Sequence, residues 1–135
     1  MAKASGLGWT TCSVDDSSGV AKAIKNDVTD LQFSTPRAVQ DITGIDKSAM
    51  ERLLLLADFS ATLKGVFNAA SGQAHDVFKT VPSTSVNRTL SLTVNGVSLN
   101  NEVLLTDYQL SRSSSGELTW SVPAVLADGT VPTWS

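Results

Sequence analysis

Reactive chemistry is scarce in this chain of 135 residues. Its one cysteine, Cys12, cannot close an internal disulfide, and with the one histidine, His75, it falls short of a structural zinc set. A histidine-based catalytic triad has a single candidate base. Charged residues make up only 17% of the chain, and a formal charge of −3 lacks the basic footprint that holding a nucleic acid requires. The longest apolar run, Leu53 to Ala57, is far below the roughly 18 residues of a membrane span. Lys3 is followed by no apolar stretch, so no secretory leader is expected and the chain is expected to fold in a cytoplasm. Proline is sparse, with four residues, and aromatics reach 6%.

What is present instead is hydroxyl. The sequence holds 18 Ser and 14 Thr, with 41% hydrophobic residues. That balance suits extended, half-buried segments better than long solvated helices, and it can fill a real core. The length fits one domain. The expected fold class is mainly β: a sandwich or partly closed barrel with one or two short flanking helices.

Patterning refines this. Trp9 to Val14 is a candidate strand ended by Asp15-Asp16-Ser17-Ser18-Gly19, a plain turn rather than a calcium loop, since spaced carboxylates and a distal Glu are missing. Val20 to Thr35 reads as a strand closed by Pro36. Within the connection Pro36 to Leu56, Asp46 can cap, Glu51 suits the helix dipole, and Ala49, Met50, Leu53 and Leu54 share a stripe. That spacing predicts about ten helical residues. Ala57 to Phe67 alternates apolar and polar side chains throughout, as a strand with one dry face does. Ser71 to Val81 reads as a short helix stopped by Pro82. Leu90, Leu92 and Val94 lead into Asn95-Gly96, the favoured two-residue hairpin turn. Glu102 to Arg112 and Glu117 to Val122 read as strands around a serine-rich tip. Pro123 to Ser135 shows no periodicity.

No candidate site survives its plainer reading. His75 and Asp76 are adjacent on a helix and point about 100° apart. Gly6-Leu7-Gly8 precedes a strand, the wrong context for phosphate. Asn87-Arg88-Thr89 matches the glycosylation triplet by chance. Cys12 reads as a small buried apolar group. Trp120 reads as core, whereas Trp9 and Trp134 stand beside chain ends, where a tryptophan docks an arm.

The middle of the chain resembles a known family on an ordered set of segments. These are Asp41-Ile42-Thr43-Gly44-Ile45-Asp46-Lys47-Ser48-Ala49-Met50-Glu51-Arg52, the strand Phe59 to Phe67 ending at Asn68, and Ala74-His75-Asp76-Val77-Phe78. They continue with Arg88 to Val94, Asn101-Glu102-Val103-Leu104-Leu105-Thr106-Asp107-Tyr108, and Gly116-Glu117-Leu118-Thr119-Trp120-Ser121. In order and spacing they are similar to the major tail proteins, or tail tube proteins, of long-tailed bacteriophages.

The resemblance implies a non-enzymatic virion protein, without cofactor or metal, assembled in the host bacterial cytoplasm. Six copies would form a ring, and stacked rings a tube through which DNA passes without specific binding. Tape-measure, tail-terminator and distal-tail proteins would be partners; a membrane would not. On this reading residues 1–135 form one tail-tube-like domain with arms at 1–9 and 123–135. The contact candidates are Ile45, Met50, Leu53, Leu54, Leu56, Trp9 and Trp134. The lumen candidates are Asp58, Ser60, Thr62 and Asp107. Alternatives are an inner-tube component of a contractile injection or type VI secretion-like system, or a small β-sandwich binding module.

Overall fold

A computed structural model of the protein describes residues 3–7 and 9–135. Of the expected N-terminal arm, residues 1, 2 and 8 therefore lie outside the described residues. Among the described residues ten strands and one short helix follow in order: β1 (Thr11–Asp15), β2 (Ala21–Ala23), β3 (Val28–Ser34), β4 (Arg37–Asp41), β5 (Arg52–Ala57), β6 (Ser60–Val66), α1 (Ala74–Phe78), β7 (Arg88–Val94), β8 (Val97–Leu105), β9 (Gln109–Arg112) and β10 (Leu118–Leu126). The chain is mainly β, as expected, with one flanking helix.

Eight strands form a single antiparallel system in the order β2-β1-β7-β8-β10-β6-β3, with β9 added to β10. It folds over on itself at β10. Along one side β10 pairs with β6 from Thr119 to Val125, while the other side is divided. Its first half, Leu118 to Ser121, pairs with β9, and Ala124 to Leu126 pair with β8. Pro123 falls at the changeover, where its missing N–H interrupts no ladder bond, and its carbonyl accepts the Thr106 N–H at 3.3 Å. The periodicity of Glu102 to Arg112 is accordingly not one strand. A corner at Thr106 to Tyr108 splits it so that β8 and β9 meet different halves of β10.

The inward faces supply the core. Cys12 and Val14 on β1, Leu90 and Leu92 on β7, Leu99 and Val103 on β8 meet Trp120, Val122 and Ala124 on β10 and Ala61 and Leu63 on β6. Val77 and Phe78 of α1 close one end, with the Phe78 ring 5.0 Å from that of Trp120. The predicted alternation of β6 holds, since Phe59, Ala61 and Leu63 are buried while Lys64 is exposed. Asn95 and Gly96 carry positive φ, 51° and 81°, as the turn between β7 and β8 requires.

Two further expectations fail. The helix predicted over Asp46 to Leu56 is absent. Arg52–Ala57 is instead a strand, pairing with β4 through Val39↔Leu54, Gln40↔Leu53 and Asp41↔Arg52. Four successive leucines fit a helical stripe and a two-faced ribbon equally well, and the ladder to β4 decides between them. The second failure is Val20 to Thr35, which breaks at Ile24 to Asp27 because the chain turns there.

That turn carries a buried charge. Asp27 lies 3% exposed, and its carboxylate accepts the Ala74 N–H at the start of α1 (3.0 Å) and the Asn68 side-chain amide (2.8 Å). Its own carbonyl accepts the Val66 N–H at 3.0 Å. One residue thereby ties the β2–β3 turn, the end of β6 and the helix together. The approach is close enough to require glycine at position 65, where a Cβ would overlap the Asp27 carbonyl oxygen and stand 2.7 Å from Trp120 Cζ2. Buried Arg88 ties the opposite side, donating to the Val77 carbonyl at 2.7 Å and the Thr80 hydroxyl at 2.8 Å. Asp27→Ala strands two donors, so urea unfolding of the variant is expected to show a loss of about 2 kcal/mol or more. Asp27→Asn, which keeps one acceptor, is expected to lose less.

Candidate assembly interface

The β4–β5 hairpin belongs to no other sheet. A two-stranded ribbon in water is marginal by itself, yet this one exposes apolar side chains on both faces. Val39 and Leu54, which are cross-strand partners, are both exposed, as are Leu53, Leu55 and, at 85%, Leu56. The connecting tip adds exposed Ile42, Ile45 and Met50. Five of the seven contact candidates, Ile45, Met50, Leu53, Leu54 and Leu56, are therefore brought onto one protrusion.

Its tip is ordered by its own hydrogen bonds. Thr43 Oγ1 donates to Asp41 Oδ1 at 2.6 Å and accepts the Glu51 N–H at 2.8 Å. The Ile42 N–H reaches the Glu51 carbonyl at 3.0 Å. These bonds hold the Asp41 carboxyl below its ordinary pKa, the Thr43 hydroxyl contributing most and the Thr43 N–H next.

Trp9 and Trp134 lie elsewhere. The Trp9 indole N–H donates to the Thr11 carbonyl at 2.6 Å, and its ring lines a cleft of ≈ 280 Å³ with Cys12, Lys25, Val28 and Leu31. Trp134 sits 5.9 Å from the Phe33 ring and bridges Leu99, on the half of β8 that β10 leaves free. The Ser135 N–H donates to the Ser98 carbonyl at 3.0 Å. Residues 123–126 of the expected C-terminal arm are part of β10, and the last two residues are tied to the body.

The lumen candidates separate. Ser60 and Thr62 lie on the outward face of β6. Cross-strand register aligns that face in rows, Asp30 with Lys64, Ser121 and Gln109, then Gln32 with Thr62 and Pro123, then Ser34 with Ser60 and Val125. The wall is mainly hydroxyl and amide, with one charge of each sign and with Pro123 and exposed Val125 as its apolar members. Asp58 stands at the joint between β5 and β6, beside Pro36, Arg37 and Leu56, its Oδ1 accepting the Phe59 N–H at 2.7 Å. Asp107 stands at the β8–β9 corner, where it accepts the Tyr108 N–H at 2.8 Å. Both aspartates are exposed at strand ends rather than on the ladder face.

Other residues with chemical potential have structural partners. The Asp16 carboxylate accepts the Ser18 and Val20 N–H groups, and the bond from Val20 does most to lower its pKa. His75 Nδ1 lies 3.0 Å from the Tyr108 hydroxyl, with its ring against Phe67. Among the described residues no three His, Cys, Asp or Glu side chains gather as metal ligands would. Sequence reasoning offered the polar face of the Ala57 to Asn68 strand, to which Lys64 belongs, and that of Glu102 to Arg112 as the inner wall, but it passed over Asp30, because the alignment of Asp30 with Lys64 is a property of register. It also passed over Arg88, although Arg88 shares the parity of Leu90 and Leu92, and that signal places it inside.

The sequence matches no protein-family model and no curated protein. The fold does have solved counterparts. One is a chain in the tail of an empty gene transfer agent particle, refined helically with C6 symmetry. It matches with a TM-score of 0.74 at 17% identity, over 98% of this chain and 99% of that one. A second, from the virion of a native gene transfer agent particle, matches with a TM-score of 0.69 at 14% identity and the same coverage of both chains. The fold is thus one found in the tail of a gene transfer agent particle, in accord with the resemblance read from the sequence.

Burial raises the Cys12 thiol from an ordinary 9.0 to about 11. At pH 8 about one molecule in a thousand would carry the thiolate. A maleimide is expected to leave native protein unlabelled at that pH and to label it rapidly in urea. Because the unfolded chain ionises first, Cys12 is also expected to stabilise the fold less as pH rises from 9 toward 11.

Proposed function

We propose that the chain is the repeating subunit of a tail tube, a structural and non-enzymatic role in which six copies form a ring and rings stack around a channel for DNA. The observation that carries this reading is the β4–β5 hairpin, apolar on both faces and left largely exposed by the described residues of its own subunit. Such a ribbon needs a partner to bury it, and a neighbouring subunit is the partner that a tail fold supplies. Leu53, Leu54, Leu56, Ile45 and Met50 carry contacts between rings. Trp9 and Trp134, each partly packed on its own subunit, contribute where the chain ends meet neighbours.

Ring closure has its own support. The four-stranded segment β9-β10-β6-β3 has an unpaired edge at each end, on β9 and on β3. Unlike edges that pair head to tail generate a ring when the rotation closes. The face between them is the candidate channel wall. Ser, Thr and Gln side chains keep it wet, and the Asp30 and Lys64 charges cancel, so a passing polyanion meets no array of cations to grip it. Asp58 and Asp107, at the ends of this wall, add repulsion. Virion location, assembly in a bacterial host, and tape-measure, terminator and distal-tail partners follow from the same reading.

Negative-stain microscopy and sedimentation of the purified chain test it: rings or tubes support the proposal, and a monodisperse monomer at high concentration removes it. Leu54→Asp and Leu56→Asp alter only exposed positions, so each is expected to leave a folded monomer that no longer polymerises. Normal tubes from both variants would refute the contact role. Reversing both lumen charges, Asp58→Lys with Asp107→Lys, is expected to leave tubes intact and slow DNA ejection from particles. An unchanged ejection rate would remove those two residues from the channel.

A further inference from the structure

The hairpin bears two unlike features, one at each end. At its tip, Ile45 is fully exposed on a loop that Thr43, Asp41 and Glu51 hold in shape before any partner arrives. At its base, Arg37, Leu55, Leu56 and Ala57 combine with Val131, from the segment after β10, to line an open groove of ≈ 410 Å³. The first is a preformed knob and the second an apolar recess. Neither is filled by its own subunit.

Charge distinguishes the two ends further. Beside Ile45, the Asp46 side chain is 76% exposed and its ion-pair partner is only the adjacent Lys47, at 3.4 Å. At the groove, Arg37 donates Nε–H to the Leu55 carbonyl at 2.8 Å and takes part in neither ion pair among the described residues. Asp46 on the apolar knob and Arg37 at the apolar recess thus offer one pair of opposite charges, each with a counter-charge of its own subunit beside it, Lys47 at the knob and Asp58 at the recess.

Building on the tail-tube reading, we propose that the occupant of the groove is the hairpin tip of a second copy of this chain, with Ile45 against Leu55, Leu56 and Val131, and Asp46 facing Arg37. The contact is heterologous: a subunit that inserts its tip keeps its own groove open for the next copy, so the contact propagates instead of closing. Because the tip is already ordered, docking loses little conformational freedom.

Disulfide trapping in the full chain tests the seat. Ile45→Cys and Val131→Cys change exposed positions, and buried Cys12 gives little background. Under mild oxidation a mixture of the two single variants is expected to form a covalent pair that neither forms alone. The double variant is expected to give a ladder beyond the dimer that collapses on reduction. A second exposed pair, Met50→Cys with Leu56→Cys, is expected to link in the same way, so the result does not hinge on one substitution. Tubes that form without either link would overturn the tip-in-groove contact and leave the tail-tube reading standing. A monomer that forms neither tubes nor links would overturn both. A double variant that stops at a covalent dimer would show two hairpins closing on each other and overturn the head-to-tail arrangement.

Discussion

Pro123 has no N–H to give, and β10 is arranged around that gap. Before it the strand carries β9, after it β8, and throughout its length β6 runs along the other side. This division lets one strand belong to both layers, so the inward residues of β1, β7 and β8 meet those of β6 and β10 in a single core. A residue with an N–H at that position would leave a donor facing a corner. Proline there satisfies the backbone by having nothing to satisfy.

Two buried polar side chains then fix what apolar packing leaves free. Asp27 takes the helix N-terminus and the Asn68 amide, while Arg88 takes the Val77 carbonyl and the Thr80 hydroxyl near the helix C-terminus. Each places charge of the sign that the nearby helix end favours, although a helix this short has a weak dipole and the direct hydrogen bonds do most of the holding. Hydrophobic faces bring the layers together, and these two groups locate α1 at one end of them. The hairpin, by contrast, is left without such ties to the body along most of its length.

Much of this was legible beforehand. The period-two pattern of β6 and the Asn95-Gly96 turn rest on local rules that the fold obeys, whereas the helix expected over Ser71 to Val81 shrinks to Ala74–Phe78, with Gln73 rather than Ser71 ahead of it and turns filling the stretch to Pro82. The helix expected after Asp46 failed because Leu53 to Leu56 has no polar alternation to mark it as a strand. A ribbon solvated on both sides in the free subunit has no dry face to specify. The break within Glu102 to Arg112 was hidden for a different reason, since it reflects where β10 changes partners, and partner choice is not a local property. The polar wall was half visible: Ser60 and Thr62 follow from parity, whereas the alignment of Asp30 with Lys64 requires register.

The order of the chain adds a consequence for synthesis. A ribosome releases the hairpin first, with its leucines bare, while β10 and Val131 emerge only after it. The recess at the hairpin base is therefore incomplete until the strand joining both layers has been made. On the proposed tip-in-groove contact, a nascent or half-folded subunit can offer a tip but has no finished place to receive one, and such an arrangement would restrain growth from incomplete chains while leaving mature subunits competent at both ends.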